Sequence, residues 1–433
     1  MRTATRDEAE QGATAGPAGG VAAALHLLRD RNYRHYWLAT VPWNLGRWTE
    51  IVVAGWLMLE LTDSPWQVAV LGFCRSAALP VIGPFAGVIA DRVDRLALIR
   101  AAQVLNVAVT LTLTLLISSG QVASWHLLAG SLLLGLSWAL DWPARRALMV
   151  DIVGHDALVQ ATVLDNFSMN ASKIAGPALA GVLLALGGGL LGFGLLLAGF
   201  ALSLGLFWLV GRPRHEVARS SGSPLHSLAA GLVYVTRHRT ILGLLMITVI
   251  MNCLVFPFIQ LLPVMARDVL RVGPVELGWL AAADAIGALF GLPLILRLRA
   301  GGPHGWLYIL GSAGMAATTL AFAGSPWYLL ALLLLIAGGV GHAGFGTMQG
   351  TILLTQASPE MRGRALGVLT LAIGSAPAGA LLMGSIAERG GAPLAIGLCA
   401  AVALVLVALV GWLTPSLCAA GQPRSADGGL RTK

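Results

Sequence analysis

Three carboxylates and three bases lie inside long apolar runs of this sequence: Glu50, Asp165 and Asp284, with Arg47, Arg75 and Lys173. An ionised side chain is expensive in such surroundings and is a functional group by default. Burial favours the neutral form of a carboxylate and a neighbouring base favours the charged form, so Glu50 or Asp165 is suited to exchanging a proton. Arg47 and Glu50 are three residues apart, on one helix face, and are placed to pair directly. At a rise of 1.5 Å per residue, Glu50, Arg75 and Lys173 fall at similar depth, with Arg47 nearer the level of Asp165. Two acids against three bases leave one positive charge in surplus in the first half of the chain. The residues therefore admit a proton-exchanging acid or a positive site for an anionic guest, beside a purely structural salt-bridge network. Asp284 stands apart, and reads first as a polar group between packed helices and second as an ion site of the other half. His342 is the only histidine well inside an apolar run. Imidazole is the side chain that changes charge nearest neutral pH, although a hydrogen-bonded structural histidine fits that position equally.

The elements that must hold these groups are membrane spans. Apolar residues make up 57% of the 433 positions and charged residues 11%, with a mean hydropathy of +0.78; a soluble domain carries roughly 25% charged residues. The apolar runs are about 20 residues long, enough to cross a bilayer as helix. Twelve can be drawn: 36–60, 66–89, 96–118, 125–147, 158–182, 190–210, 240–263, 276–297, 305–323, 327–351, 365–387 and 393–413. The fold class expected is an all-α membrane protein of twelve transmembrane helices in two six-helix halves. The divisions are a cytoplasmic tail (1–35), an N-terminal half (36–210), a central loop (211–239), a C-terminal half (240–413) and a second cytoplasmic tail (414–433). Residues 1–30 are polar or Ala/Gly-rich and do not read as a signal peptide.

Charge placement sets the orientation. With the N-terminus inside, 22 of the 28 Lys+Arg fall on the inner side, three in the outer loops and three within spans. That bias puts both termini in the cytoplasm, so the basic net charge of +8 is a topology signal and nucleic acid is not an expected partner. The central loop, rich in Ser, Pro and Arg, holds a stretch from Leu225 to Val235 that suits an amphipathic helix on the membrane surface. The halves repeat weakly at an offset of about 200, Gly176-Pro177-Ala178-Leu179-Ala180 falling opposite Ala376-Pro377-Ala378-Gly379-Ala380. Cys74, Cys253, Cys399 and Cys418 are scattered and form neither a disulfide framework nor a metal site. No catalytic triad is present, and Gly187-Gly188-Gly189, assigned to an outer loop, lacks the lysine of a phosphate loop. An enzyme is not expected.

Gly87-Val-Ile-Ala-Asp-Arg-Val-Asp-Arg95 packs four charges between spans two and three, so it must turn at a membrane surface. Its spacing resembles the loop of the major facilitator superfamily, matching at Gly87, Ala90, Asp91, Arg92 and Arg95; Asp94 and Leu96 depart from the pattern. The copy near Gly291 to Arg299 keeps Gly and Arg but lacks the acid. Asn32-Tyr33-Arg34, Glu60-Leu-Thr-Asp-Ser-Pro65, Asp141-Trp-Pro-Ala-Arg145, Leu262-Pro-Val-Met-Ala-Arg-Asp-Val-Leu270 and Arg362-Gly363-Arg364 resemble the branch of enterobactin-exporter and macrolide-efflux-like proteins known as transmembrane secretion effectors.

The resemblance implies transport by alternating access, with Asp91 latching the cytoplasmic side against span eleven beside Arg362, Gly363 and Arg364, and Gly87 allowing close approach. Gly176-Pro177-x-x-x-Gly181 resembles the signature of proton antiporters, which implies a coupling role for a stretch whose plain reading is a packing kink. It also implies a cavity lined by spans one, four, seven and ten, with Asn44, Trp48, Trp138, Asp141, Asn252, Phe256, His342 and Gln349 as candidates; the tryptophans suit a flat or amphiphilic cargo. The activity implied is proton-coupled export of a small amphiphilic molecule (a drug, macrolide-like compound or siderophore) across the inner, cytoplasmic membrane. Import or facilitated passage of a small solute, and a transport-inactive sensor or scaffold, are the alternatives. With no ATP-binding module, cofactor or metal in the pattern, the proton gradient is the expected energy source. A small-molecule substrate and the lipid bilayer are the expected partners; the sequence leaves the oligomeric state open, a monomer being plausible.

Overall fold

The computed structural model describes residues 24–211, 224–299 and 304–420, except for the side chains of 84–92, 224–228 and 299. Everything described is helix or short connection. Among the described residues, nine stretches are long and apolar enough to cross a membrane. Two of these, Leu158–Leu209 and Pro359–Leu413, each bend sharply at glycine, and Arg31–Thr62 adds a helix of 32 residues, a layout consistent with the twelve drawn segments.

Span one is Arg31–Thr62, started by the Asp30 carboxylate, which accepts from the amides of Asn32 (2.8 Å) and Tyr33 (3.0 Å). It begins before residue 36 because Tyr33 and Tyr36 are buried and belong to the packed body, not to a tail. Spans two and three are Pro65–Arg92 and Arg95–Ser118. Asp94, which breaks the family's loop pattern, caps span three by accepting from the amides of Leu96 and Ala97. Span four is Ser124–Val153. Spans five (158–186) and six (189–209) meet at Gly187 and Gly188, whose φ of 61° in the latter suits glycine. The expected outer loop there is only this hinge. Gly391 (φ 82°) plays the same part between span eleven, which starts at Arg362, and span twelve (392–413).

The central connection contains the helix Pro224–Arg237. Span seven starts as Arg239–Ile250 and then loses regular geometry, widening at Met251–Val255, tightening at Phe256–Leu261 and widening again at Met265–Val269. Pro257 and Pro263 each remove a backbone donor there. Spans eight, nine and ten are Pro274–Arg299, His304–Ala323 and Tyr328–Gln356. Beyond residue 413 the chain stays attached: Leu417 is fully buried, and the Gly305 amide donates to the Ala420 carbonyl at 3.1 Å.

Large apolar side chains cover the outside of the bundle, among them Leu186, Phe290, Val405 and Trp412. Water would penalise such a surface, whereas lipid accepts it. Small residues let the two halves touch. A Cβ on Gly181 or Gly278 would strike backbone of the facing span, so spans five and eight are in direct contact. Gly384 of span eleven rests on Ala69 of span two, and Gly55 of span one lies against Pro263 of span seven. All three contacts lie toward the end of the bundle that is poor in arginine.

Candidate functional site

A cavity of about 350 Å³ lies between the halves, at the level where the spans carry their charged residues. Arg47 and Trp48 of span one, Arg75 of span two, Trp138 of span four and Lys173 of span five line one wall. Asn252, Phe256 and Gln260 of the irregular part of span seven, Asp284 of span eight and His342 of span ten line the other.

On the first wall the charges are only partly neutralised. Glu50 is 4% exposed and accepts from Arg75 Nη1 (3.3 Å) and Ser131 Oγ (2.9 Å). Arg75 Nη2 also donates to Gln260 Oε1 at 3.0 Å, tying the halves together beside the cavity. The expected Arg47–Glu50 pair is not formed. Glu50 already holds two donors, and the Arg47 guanidinium lies over the Trp138 ring, 3.6 Å from its centroid. Lys173 Nζ stands 5.0 Å from the centroid of Trp48, whose indole Nε1 is buried without a partner. Among the described residues neither Arg47 nor Lys173 has a carboxylate within ion-pair distance.

On the second wall Asp284 is a polar group between packed helices, as expected, and it also faces the cavity: its carboxylate joins span eight to span ten through His342 Nδ1 at 2.8 and 3.0 Å, within the field of Lys173 across the gap. Phe256 lies beside the imidazole, with ring centroids 5.1 Å apart.

Other expected site residues belong elsewhere. Asp165 is not part of the Glu50 network; it lies toward the arginine-rich end, in the field of Arg146 and Arg145. Asp141 is fully buried, accepting from Arg145 Nε (2.9 Å) and Gln103 Nε2 (2.8 Å). Arg145 also donates to Thr40 Oγ1 at 3.2 Å and is clamped between the rings of Trp43 and Phe207. This cluster locks spans one, three, four and six and does not line the cavity. Asn44 donates to Ser168 Oγ (3.1 Å), holding span one to span five. Gln349 donates to Thr248 Oγ1 (2.9 Å) in a buried group with Tyr308. Asp141, Asn44 and Gln349 thus spend their hydrogen bonds on neighbouring spans and not on the cavity.

Gly176, Pro177 and Gly181 sit where spans one, five and eight meet. Thr49 Oγ1 donates to the Gly176 carbonyl at 3.2 Å, and a Cβ on Gly176 would stand 2.9 Å from that of Trp48. In the charged hairpin, Arg95 forms an ion pair with Asp151 at 2.6 Å. The side chains of Gly87, Asp91 and Arg92 lie outside the described residues, and so does the latch expected of Asp91. Arg362, Gly363 and Arg364 are exposed, with the Arg364 backbone packed against Gly231 of the helix Pro224–Arg237.

Sequence reasoning missed the fastening at the arginine-poor end. Arg267 of span seven pairs with Asp63 (2.8 Å) and donates to the Leu59 carbonyl (3.1 Å). Glu388 of span eleven accepts from Ser64 Oγ (3.0 Å) and the Trp66 amide (2.9 Å) at the start of span two. Among the described residues, every hydrogen bond or ion pair between the halves lies either here or at the Arg75–Gln260 contact. The signal was present as charge in two loops otherwise poor in it.

Comparison with known proteins follows the same lines. The family described as transmembrane secretion effectors matches residues 22–420. The chain is 28% identical over 353 residues to the enterobactin exporter EntS of Shigella boydii, covering 78% of this chain and 83% of that one. It is 26% identical over 394 residues to the multidrug efflux pump Tap of Mycobacterium tuberculosis, covering 88% and 92%. Among solved structures, a bacterial homologue of the human lysosomal transporter Spinster, in an inward-facing and occupied conformation, superposes with a TM-score of 0.69 over 90% of this chain and 97% of that one, at 16% identity.

Proposed function

We infer the activity of this chain from its membership: it belongs to the transmembrane secretion effector family, within the major facilitator superfamily, and is a multi-pass membrane transporter. Our reading is that it exports a small amphiphilic molecule of the siderophore or drug kind, driven by protons entering the cell. The observation that carries this is the cavity itself, which holds a carboxylate–imidazole pair on one wall and unpaired bases on the other. The names of the two curated relatives, an exporter and an efflux pump, support export over import.

In this reading the protein sits in a bacterial inner membrane with its arginine-rich end toward the cytoplasm, an orientation the positive-inside bias supports. The fastening by Arg267 and Glu388 then closes the cavity toward the outside, which suits an inward-facing state that takes cargo from the cytoplasm. Turning outward requires these contacts and the Arg75–Gln260 bond to part while the halves rock about the site. Asp284 and His342 are the coupling pair in this reading. A proton taken up there changes the charge facing Lys173 and thereby the hold on the cargo. Glu50 is bound by Arg75 and Ser131 and acts as a fixed counter-charge.

Everted vesicles carrying the protein test the proposal. Accumulation of a siderophore or drug that collapses with the proton gradient, and is lost in Asp284→Asn, is the expected result. Accumulation indifferent to the gradient would remove the coupling. Uptake only in right-side-out cells would reverse the direction.

A further inference from the structure

We propose that the cargo this cavity selects is an aromatic organic anion, and that Arg47 and Lys173, each resting on a tryptophan face, are the residues that select its charge. The inference rests on the exporter reading for the cavity's role and adds the chemical class of the guest.

The charge inventory leads to it. Arg75 is spoken for by Glu50 at 3.3 Å, and Asp284 by His342 at 2.8 Å. Arg47 and Lys173 remain, both half-buried on the cavity wall and neither within 4 Å of a carboxylate among the described residues. Counting Asp284 against either base still leaves the cavity positive, and protonation of the Asp284–His342 pair makes it more so. Two bases held away from water in one cavity repel each other, and a guest anion relieves that repulsion where a guest cation adds to it. Their placement adds geometry. Each base lies over a tryptophan ring, at 3.6 Å for Arg47 on Trp138 and 5.0 Å for Lys173 on Trp48, so the outward side of each is left for a carboxylate, sulfonate or phenolate. Phe256, from the opposite half, supplies an apolar face for the guest's ring, so an amphiphilic anion spans both walls. Lipophilic cations, common cargo for export pumps, are disfavoured here.

Three probes with one ring system and different charge test this: 2-naphthoate, 2-naphthylmethanol and (2-naphthyl)trimethylammonium, measured by equilibrium dialysis against the purified full chain in lipid nanodiscs. The expected order is naphthoate tightest, by about tenfold or more over the alcohol, with the ammonium at least about tenfold weaker than the alcohol. Arg47→Gln and Lys173→Gln should each reduce the anion's advantage over the alcohol, Arg47→Lys should largely keep it, and binding of the neutral alcohol reports that each variant is folded. The ammonium binding as tightly as the naphthoate, a ratio unmoved by both Gln variants, or no probe binding at millimolar concentration would each overturn the proposal. The vesicle experiment is independent: gradient-driven export of the ammonium probe would sink the charge class and leave the exporter reading standing, whereas tight naphthoate binding without export would do the reverse.

Discussion

Placing a methyl group on Gly278 should bias the whole conformational cycle. In the structure spans five and eight touch at this glycine, where a Cβ would stand 3.2 Å from Gly181 Cα and closer still to the Pro177 carbonyl oxygen. Both neighbours are backbone and cannot rotate away, so in Gly278→Ala the helices must separate. Overpacking of this kind costs about 1–3 kcal/mol. The cost falls only on the conformer in which spans five and eight meet, the one closed at the arginine-poor end. A bias of about 1–3 kcal/mol shifts an equilibrium about 5- to 150-fold, enough to convert a minor open form into a visible one. Spin labels at Ser119 and Arg389, one in each half and both exposed at that end, would report it as a longer component in the distance distribution, in a background without the four native cysteines. Gly181→Ala, on the facing helix, should reproduce the shift. Gly194→Ala should not, because a Cβ there meets nothing within 4 Å. An unchanged distribution in Gly278→Ala, with a melting temperature like that of the parent, would refute the idea that the glycine contact is part of the closed state.

Other perturbations separate coupling from scaffolding. His342→Gln should abolish proton-driven accumulation while leaving cargo exchange across equilibrated vesicles, whereas loss of both would mean a structural role. Glu50→Ala strands the Arg75 guanidinium, and breaking a buried pair in this way costs about 3–5 kcal/mol; thermal unfolding should show a clear drop, and an unchanged curve would dismiss the counter-charge role. Arg145→Lys should fail to restore the stability lost in Arg145→Ala, because an ammonium cannot reach Asp141 and Thr40 while stacking on Trp43 and Phe207. Glu388→Gln should weaken the fastening by no more than about 1 kcal/mol, since its site is exposed, and the spin-label pair would register a smaller shift than Gly278→Ala.

The spans were legible because lipid imposes a length and a composition that a sequence displays directly. Half of the site was legible for the same reason: a charge inside an apolar run is conspicuous, and Arg47, Arg75, Lys173 and Trp138 do face the cavity. Partnership was not legible. Depth along a helix follows from counting, but which face meets which neighbour depends on tertiary packing, so the spacing offers Arg47 as a partner for Glu50 whereas Arg75 and Ser131 hold it in the bundle. Asp284 and His342 are 58 residues apart, on spans eight and ten, and only the bundle brings them together. Asp141 and Arg145, four apart on span four, carried a local signal of pairing that the cavity assignment overrode.

The glycine hinges at Gly188 and Gly391 carry a consequence for biogenesis. Span five contains Asp165 and Lys173, and a charge at mid-membrane costs about 2.5–3.5 kcal/mol on insertion; alone it is a poor candidate to enter the bilayer. Span six has no charged residue from 189 to 209, and the turn joining the two is too short to let one cross without the other. The helical hairpin, more than the single helix, is therefore the unit that partitions out of the insertion machinery. Span twelve is tied to span eleven in the same way at Gly391, but Glu388 and Arg389 lie exposed at the membrane surface and add no such cost. Lengthening the Gly188 hinge with a flexible linker would uncouple its pair and leave span five stranded at the ribosome-facing side.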